Sequence, residues 1–178
     1  MNFLFVKTEK QDRLFYIILA RPEKKNALND TVVTELTHAL QLATDDDEVK
    51  IIILKAEGDV FSAGADLEYL QRLQNFSYEE NLADSTLLKT LLLKIYTHPK
   101  IVIAQVEGHA IAGGCGLAAV CDFCFSVPDA KFGYTEVKIG FIPALVMVFL
   151  LRKINGAKAR ELLFTGKLVT AAEALSYG

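Results

Sequence analysis

Apolar positions along the chain fall into two spacings, short unbroken runs and wider helical intervals. Five runs rich in β-branched or aromatic residues predict strands, over 3–7, 14–20, 51–56, 101–106 and 121–127. The run Ile51-Ile52-Ile53-Leu54 is apolar without alternation, which predicts a strand covered on both faces. Between the runs the period lengthens. Asn29 or Asp30 can cap a helix whose Val32, Val33, Leu36, Leu40 and Ala43 share one face. Ser77-x-x-Glu80 has the form of a capping box, opening a helix with Leu87, Leu88, Leu91, Leu92 and Ile95 on its apolar side and Pro99 at its end. Further helices are predicted from Pro143 to about Ile154, over 157–164 ahead of Gly166, and after Thr170-x-x-Glu173, where a last helix has barely begun when the sequence ends. Strands and helices alternate, so the fold class is α/β.

The 178 residues fit one domain, 1–178, which should bury roughly 70% of the surface its unfolded chain exposes. At 52% hydrophobic the chain is too apolar for intrinsic disorder. Mean hydropathy is +0.28. The longest apolar stretch, 144–151, is nevertheless far short of the about 20 residues of a membrane span. A net charge of −3 without clustered Lys or Arg argues against a nucleic acid or an anionic membrane as partner. The first ten residues lack a basic segment ahead of an apolar core, so no secretory leader is expected and the default location is cytoplasmic. Cys121 and Cys124 have zinc-knuckle spacing. They fall, however, in what reads as a buried strand over 120–127, where odd spacing points side chains to opposite faces, and no second ligand pair exists; structural cysteines and no metal are expected.

Two glycine-rich segments change the picture. Phe61-Ser-Ala-Gly-Ala-Asp-Leu67 follows the third predicted strand, and Gly108-His-Ala-Ile-Ala-Gly-Gly-Cys-Gly116 follows the fourth. Each puts small residues where a strand gives way to a helix. There a ligand can approach the backbone, and unpaired N–H groups can donate to an anionic oxygen. A P-loop fails, because Gly114 and Cys115 stand where Lys and Ser or Thr belong. The G-x-G-x-x-A match at 114–119 lacks both the directly feeding strand and the later acidic residue of a dinucleotide site.

In order along nearly the whole chain, these segments resemble the crotonase (enoyl-CoA hydratase/isomerase) superfamily. Arg21-Pro-Glu-Lys-Lys-Asn-Ala-Leu-Asn29 resembles the family's loop for the nucleotide end of coenzyme A, and the two glycine-rich segments resemble its oxyanion turns. Phe132-Gly-Tyr-Thr-Glu-Val-Lys-Ile-Gly-Phe-Ile-Pro143 resembles the segment bearing a catalytic acid, and 156–166 and 171–175 resemble the helices that follow. The resemblance implies a spiral of ββα units whose C-terminal oligomerisation helices are absent from this chain. It further implies an acyl-CoA substrate, assembly into trimers or paired trimers, and no cofactor beyond the coenzyme A of the substrate. Carried over by motif, Ala65 and Gly113 would donate their N–H groups to the thioester oxygen, and Glu136 would be the acid/base. Lys24, Ala27, Ala63, Ala65, Asp66, Leu67 and Gly113 would contact the acyl-CoA.

One departure matters. Hydratases resembling this chain carry a glutamate where Gly116 stands. Hydration uses one group to activate water and another to deliver a proton. Moving a double bond from C3–C4 to C2–C3 needs only one carboxylate, and Ala112-Gly-Gly-Cys115 also resembles the family's isomerases. Δ3,Δ2-enoyl-CoA isomerisation is therefore favoured, with 2-enoyl-CoA hydration and a non-catalytic acyl-CoA-binding role as alternatives. Asp66 and Glu68 are expected to cap a helix, His98 and His109 to be structural, and Asp45-Asp-Asp-Glu48 to be a solvated connection. The stretch 139–151, apolar at eleven of its thirteen positions, is expected to need cover from further helices, an acyl chain or a neighbouring subunit.

Overall fold

The computed structural model describes residues 3–178. Its larger sheet has five strands in the order β1-β2-β3-β5-β7: β1 Val6–Gln11, β2 Leu14–Leu19, β3 Ile51–Ala56, β5 Ile101–Val106 and β7 Phe123–Ser126. The β1–β2 hairpin is antiparallel and every later pairing in this sheet is parallel. A smaller sheet has the order β4-β6-β8-β9, built from β4 Val60–Ser62, β6 His109–Ile111, β8 Lys131–Gly133 and β9 Val169–Thr170. Three successive units, β3-β4, β5-β6 and β7-β8, each send their first strand to the large sheet and their second to the small one before turning helical. That repetition is the expected spiral.

Helix α1, Asp30–Asp45, starts at Asn29, whose side chain accepts from Val32 N, and buries the five residues that the 3.6 period puts on one face. Helix α2 is Leu67–Leu73. Helix α3, Tyr78–Tyr96, carries the expected reciprocal capping box between Ser77 and Glu80. Leu36 and Leu40 of α1 and Leu91 and Ile95 of α3 meet Ile17, Ile52, Leu54 and Val102 of the sheet around one small void. Register explains the match, since Ile52 lies beside Phe15 and Val102, and Leu54 beside Ile17 and Ala104. Each such fully buried aliphatic side chain contributes about 1.5–3 kcal/mol. Helices α4, Gly113–Val120, and α5, Ala144–Lys153, pack on each other; α6, Gly156–Thr165, ends at left-handed Gly166, and α7, Ala171–Tyr177, opens on a second capping box. Among the described residues no helix is long and apolar enough to cross a membrane.

Several expectations need correction. The first strand lies at Val6–Gln11, three residues later than its apolar run, because it is fixed by pairing from Val6 opposite Leu19 to Gln11 opposite Leu14. β3 is covered fully on one face alone, with Ile52 and Leu54 buried and Ile51 and Ile53 half-buried. The strand expected to be buried over 120–127 is the exposed edge β7, on which Phe123 and Phe125 stack at 6.5 Å. Cys121 is not in that strand; it is the buried C-cap of α4. The 139–151 segment needs no such correction: as an apolar stretch lacking cover it exposes Ile139, Phe141 and Ile142 at 60%, 54% and 76%.

Candidate active site

Three chain segments leave the same end of the small sheet. Strands β4, β6 and β8 are parallel neighbours, with Ser62 beside Ala110 and Ile111 beside Gly133. Beyond their C-terminal ends come Ala65, Gly113 and Glu136 respectively. Adjacent strands lie about 4.8 Å apart, so the turns that follow them are neighbours.

The first turn is held by the 21–28 loop. Leu28 N donates to Gly64 O at 2.7 Å, Asp66 N to Leu28 O at 2.8 Å, and Ala63 N to Lys25 O at 3.0 Å. Ser62 Oγ donates to Asn26 O. Asn26, 1% exposed, donates through Nδ2 to Glu57 O and Val60 O and accepts from Arg21 N. Asp66 caps α2 by accepting from Glu68 N and Tyr69 N through Oδ1, while its Oδ2 meets Arg21 Nη1 at 2.7 Å. Burial works to raise the Asp66 pKa, but the hydrogen bonds from Arg21 and the helix N–H groups outweigh it and hold the carboxyl below its ordinary value. Arg21 is stacked over Phe5. In the middle of this bonding Ala65 stays exposed, and its N–H has no acceptor among the described residues.

The second turn is strained. Ala112 has φ 52° and ψ −127°, a conformation that L side chains rarely adopt and that costs about 1–3 kcal/mol. Its ψ sets the plane of the following peptide and hence the direction of the Gly113 N–H. The Ala112 N–H is anchored to Gly133 O at 2.7 Å. Gly113 is the first residue of α4, where N–H groups have no partner within the helix, and its own has none elsewhere among the described residues. The two turns touch. A Cβ added at Gly64, φ +89°, would lie 2.6 Å from Ala112 Cβ and 3.1 Å from Gly113 N. Two unpaired donors from adjacent turns are the parts of an oxyanion hole.

Glu136 opens a single 3-10 turn, Glu136–Ile139, directly after β8. It is half-buried, its Oε2 is closed to solvent without a hydrogen-bond partner, and burial raises its pKa above the ordinary carboxylate value. Leaving such an atom unpaired costs about 1–3 kcal/mol. Two residues earlier, the buried Tyr134 hydroxyl faces the Cys115 thiol and has no hydrogen bond of good geometry. Desolvation pushes the Cys115 thiol up to about 12, so it stays protonated.

The structure thus brings Ala63, Ala65, Asp66, Leu67, Gly113 and Glu136 to one end of the sheet. Lys24 and Ala27 stand in the loop that pins the first turn, with Lys24 Nζ 2.6 Å from Glu68 in an exposed pair. Both carboxylate oxygens of Asp66 are engaged within the protein, and so is its backbone, through Asp66 N to Leu28 O and Leu70 N to Asp66 O. His98 bonds Thr44 and the Lys100 backbone, and His109 accepts from Lys131 N, as structural histidines do. Sequence reasoning missed Asn26 and the Arg21–Asp66 pair, which have no local signal because their partners are distant in the chain. Among the described residues no cluster of three or more His, Cys, Asp or Glu side chains is placed to hold a metal ion.

Comparison with known proteins agrees with this geometry. The family model described as enoyl-CoA hydratase/isomerase matches residues 9–178. A relative from Thermus thermophilus is 43% identical over 162 residues, which are 91% of this chain and 64% of its own. The crotonyl-CoA hydratase of Syntrophomonas wolfei is 36% identical over 172 residues, 96% of this chain and 65% of its own. The chain therefore spans just under two-thirds of the length of either relative. The crystal structure of an enoyl-CoA hydratase from Shewanella pealeana superposes with a TM-score of 0.95 at 30% identity, covering 98% of this chain and 66% of that one. With a spiral of paired strands, two touching glycine-rich turns and a half-buried carboxylate beyond the third short strand, the chain belongs to the enoyl-CoA hydratase/isomerase family, the crotonase superfamily.

Proposed function

We propose that this protein moves the double bond of a 3-enoyl-CoA into conjugation with its thioester. Glu136 removes a proton from C2, and the electrons of the broken C–H bond pass to the thioester oxygen. There the N–H groups of Ala65 and Gly113 stabilise the negative charge, each worth about 10²–10³ in rate. The protonated Glu136 then returns its proton to C4 as the carbonyl re-forms. The observation that carries this reading is the half-buried carboxylate of Glu136, whose Oε2 has no hydrogen-bond partner, following the same end of the small sheet as two free N–H groups, with glycine at position 116 where a second acid would stand. A raised pKa suits a group that must both take and give a proton. The coenzyme A moiety would lie along Lys24, Ala27, Ala63, Asp66 and Leu67, and the exposed apolar residues of 139–151 would be covered in a homo-oligomer, a trimer or paired trimers.

Hydration of a 2-enoyl-CoA is the second reading, favoured by the hydratase activity in the name of the Syntrophomonas wolfei relative. The two are separated by giving the purified protein a 3-enoyl-CoA and, separately, crotonyl-CoA, and following the ultraviolet absorbance of the conjugated thioester. Absorbance should rise with the first substrate and hold with the second. A fall with crotonyl-CoA at a rate matching or exceeding the rise with 3-enoyl-CoA reverses the ranking.

A further inference from the structure

Gly116 lies one turn into α4 from Gly113, on the same side of the helix. Its hydrogen atoms are met at once by α5. A Cβ added at 116 would stand 2.2 Å from Val146 Cγ1, 2.6 Å from Val146 Cβ and 3.4 Å from Val146 Cγ2, against the 3.5–4.0 Å of ordinary carbon contact. Val146 is 5% exposed and sits in the first turn of α5. A valine in a helix has one strongly preferred rotamer, so its methyl groups have little freedom to turn aside. Because the Val146 Cβ is itself within 2.6 Å, shortening the residue to alanine leaves the clash in place. Any side chain at 116 therefore requires glycine at 146 or movement of α5.

We infer that Val146 is a specificity-determining residue: by filling the space a side chain at 116 needs, it keeps α4 free of a second carboxylate beside the oxyanion turn. The inference rests on the isomerase reading and adds a physical reason for it. The absent acid is built into the α4–α5 packing, and its absence at 116 and the bulk at 146 specify each other. Hydration, which uses two acid/base groups, is thereby closed to this site while one-carboxylate proton relocation stays open.

The test has a thermal arm and a catalytic arm. In the thermal arm, Gly116→Ala should lower Tm by several degrees although alanine is the better helix former. The same change made together with Val146→Gly should cost no more than Val146→Gly alone. In the catalytic arm, Gly116→Glu with Val146→Gly should hydrate crotonyl-CoA about 10²-fold faster than wild type or more, the low end of what a positioned acid/base supplies. An unchanged Tm in Gly116→Ala, or equal penalties with and without Val146, overturns the inference. So does a folded glutamate double variant that hydrates no faster than wild type. A double variant that fails to fold counts against it too, since the space freed at 146 must suffice. Failure of the isomerase reading shows separately, as wild-type protein inactive on 3-enoyl-CoA, because the thermal arm uses no substrate.

Discussion

Arg21 Nη1 lies 2.7 Å from Asp66 Oδ2 with both side chains nearly closed to solvent, at 11% and 7% exposure. The pair ties the 21–28 loop to the residue that follows Ala65, and Asp66 also caps α2. One carboxylate thus fixes the loop, the turn and the helix that together orient the Ala65 N–H. A buried pair of this kind gives geometric definition more than net stability, but removing one partner strands the other charge.

Arg21→Ala should therefore cost about 3–5 kcal/mol in urea unfolding. It should lower kcat/KM as well, because the Ala65 N–H loses its frame. The Asp66 pKa is lowered in the folded state, so its contribution is present above the unfolded value, about pH 4, and is lost as pH falls through the depressed folded value. Asp66→Asn should lose stability at neutral pH and lack that portion of the acid-unfolding limb. Equal stability of wild type and Asp66→Asn at pH 7 would remove this role from the pair.

Gly64→Ala probes the contact between the two turns. The added methyl meets Ala112 Cβ at 2.6 Å and forces a side chain onto φ +89°. The expected outcome is a destabilisation of about 1–3 kcal/mol and a drop in isomerisation of about 10²–10³, as for loss of one oxyanion donor. Guanidinium unfolding and steady-state kinetics on the same preparation check both parts.

The large elements were readable because each carries a local signal. Asn29, Ser77 and Thr170 announce helix starts, and the apolar face of α1 has the period of its own burial. The site was half readable. Ala65, Gly113 and Glu136 came from the family resemblance, and the glycine-rich turns from composition. The frame that brings them together was not, because β4, β6 and β8 have three residues each, too few to show alternation. The β7 edge misled for a related reason: Phe123 and Phe125 look like core, but burial depends on what packs over a strand, which a single run of residues does not encode. Val146 gave no sign at all, since its importance lies in the missing side chain of Gly116.

Glu136 should trade stability for chemistry. Its pKa is raised by burial, so its favourable contribution is complete below the unfolded value and is lost as pH rises through the folded one. Above the folded value the ionised carboxylate is a burden. Glu136→Gln should then melt higher than wild type at pH 7 to 8, with the advantage shrinking toward pH 4. A lower Tm for Glu136→Gln at pH 8 would contradict the assigned environment.

The same variant tests the central claim most directly. Pre-steady-state conversion of a 3-enoyl-CoA, followed by product absorbance at saturating substrate, should slow by about 10²–10⁴ in Glu136→Gln while acyl-CoA binding measured by calorimetry is retained. Conversion by Glu136→Gln at the wild-type rate would contradict a site in which one carboxylate carries the proton from C2 to C4.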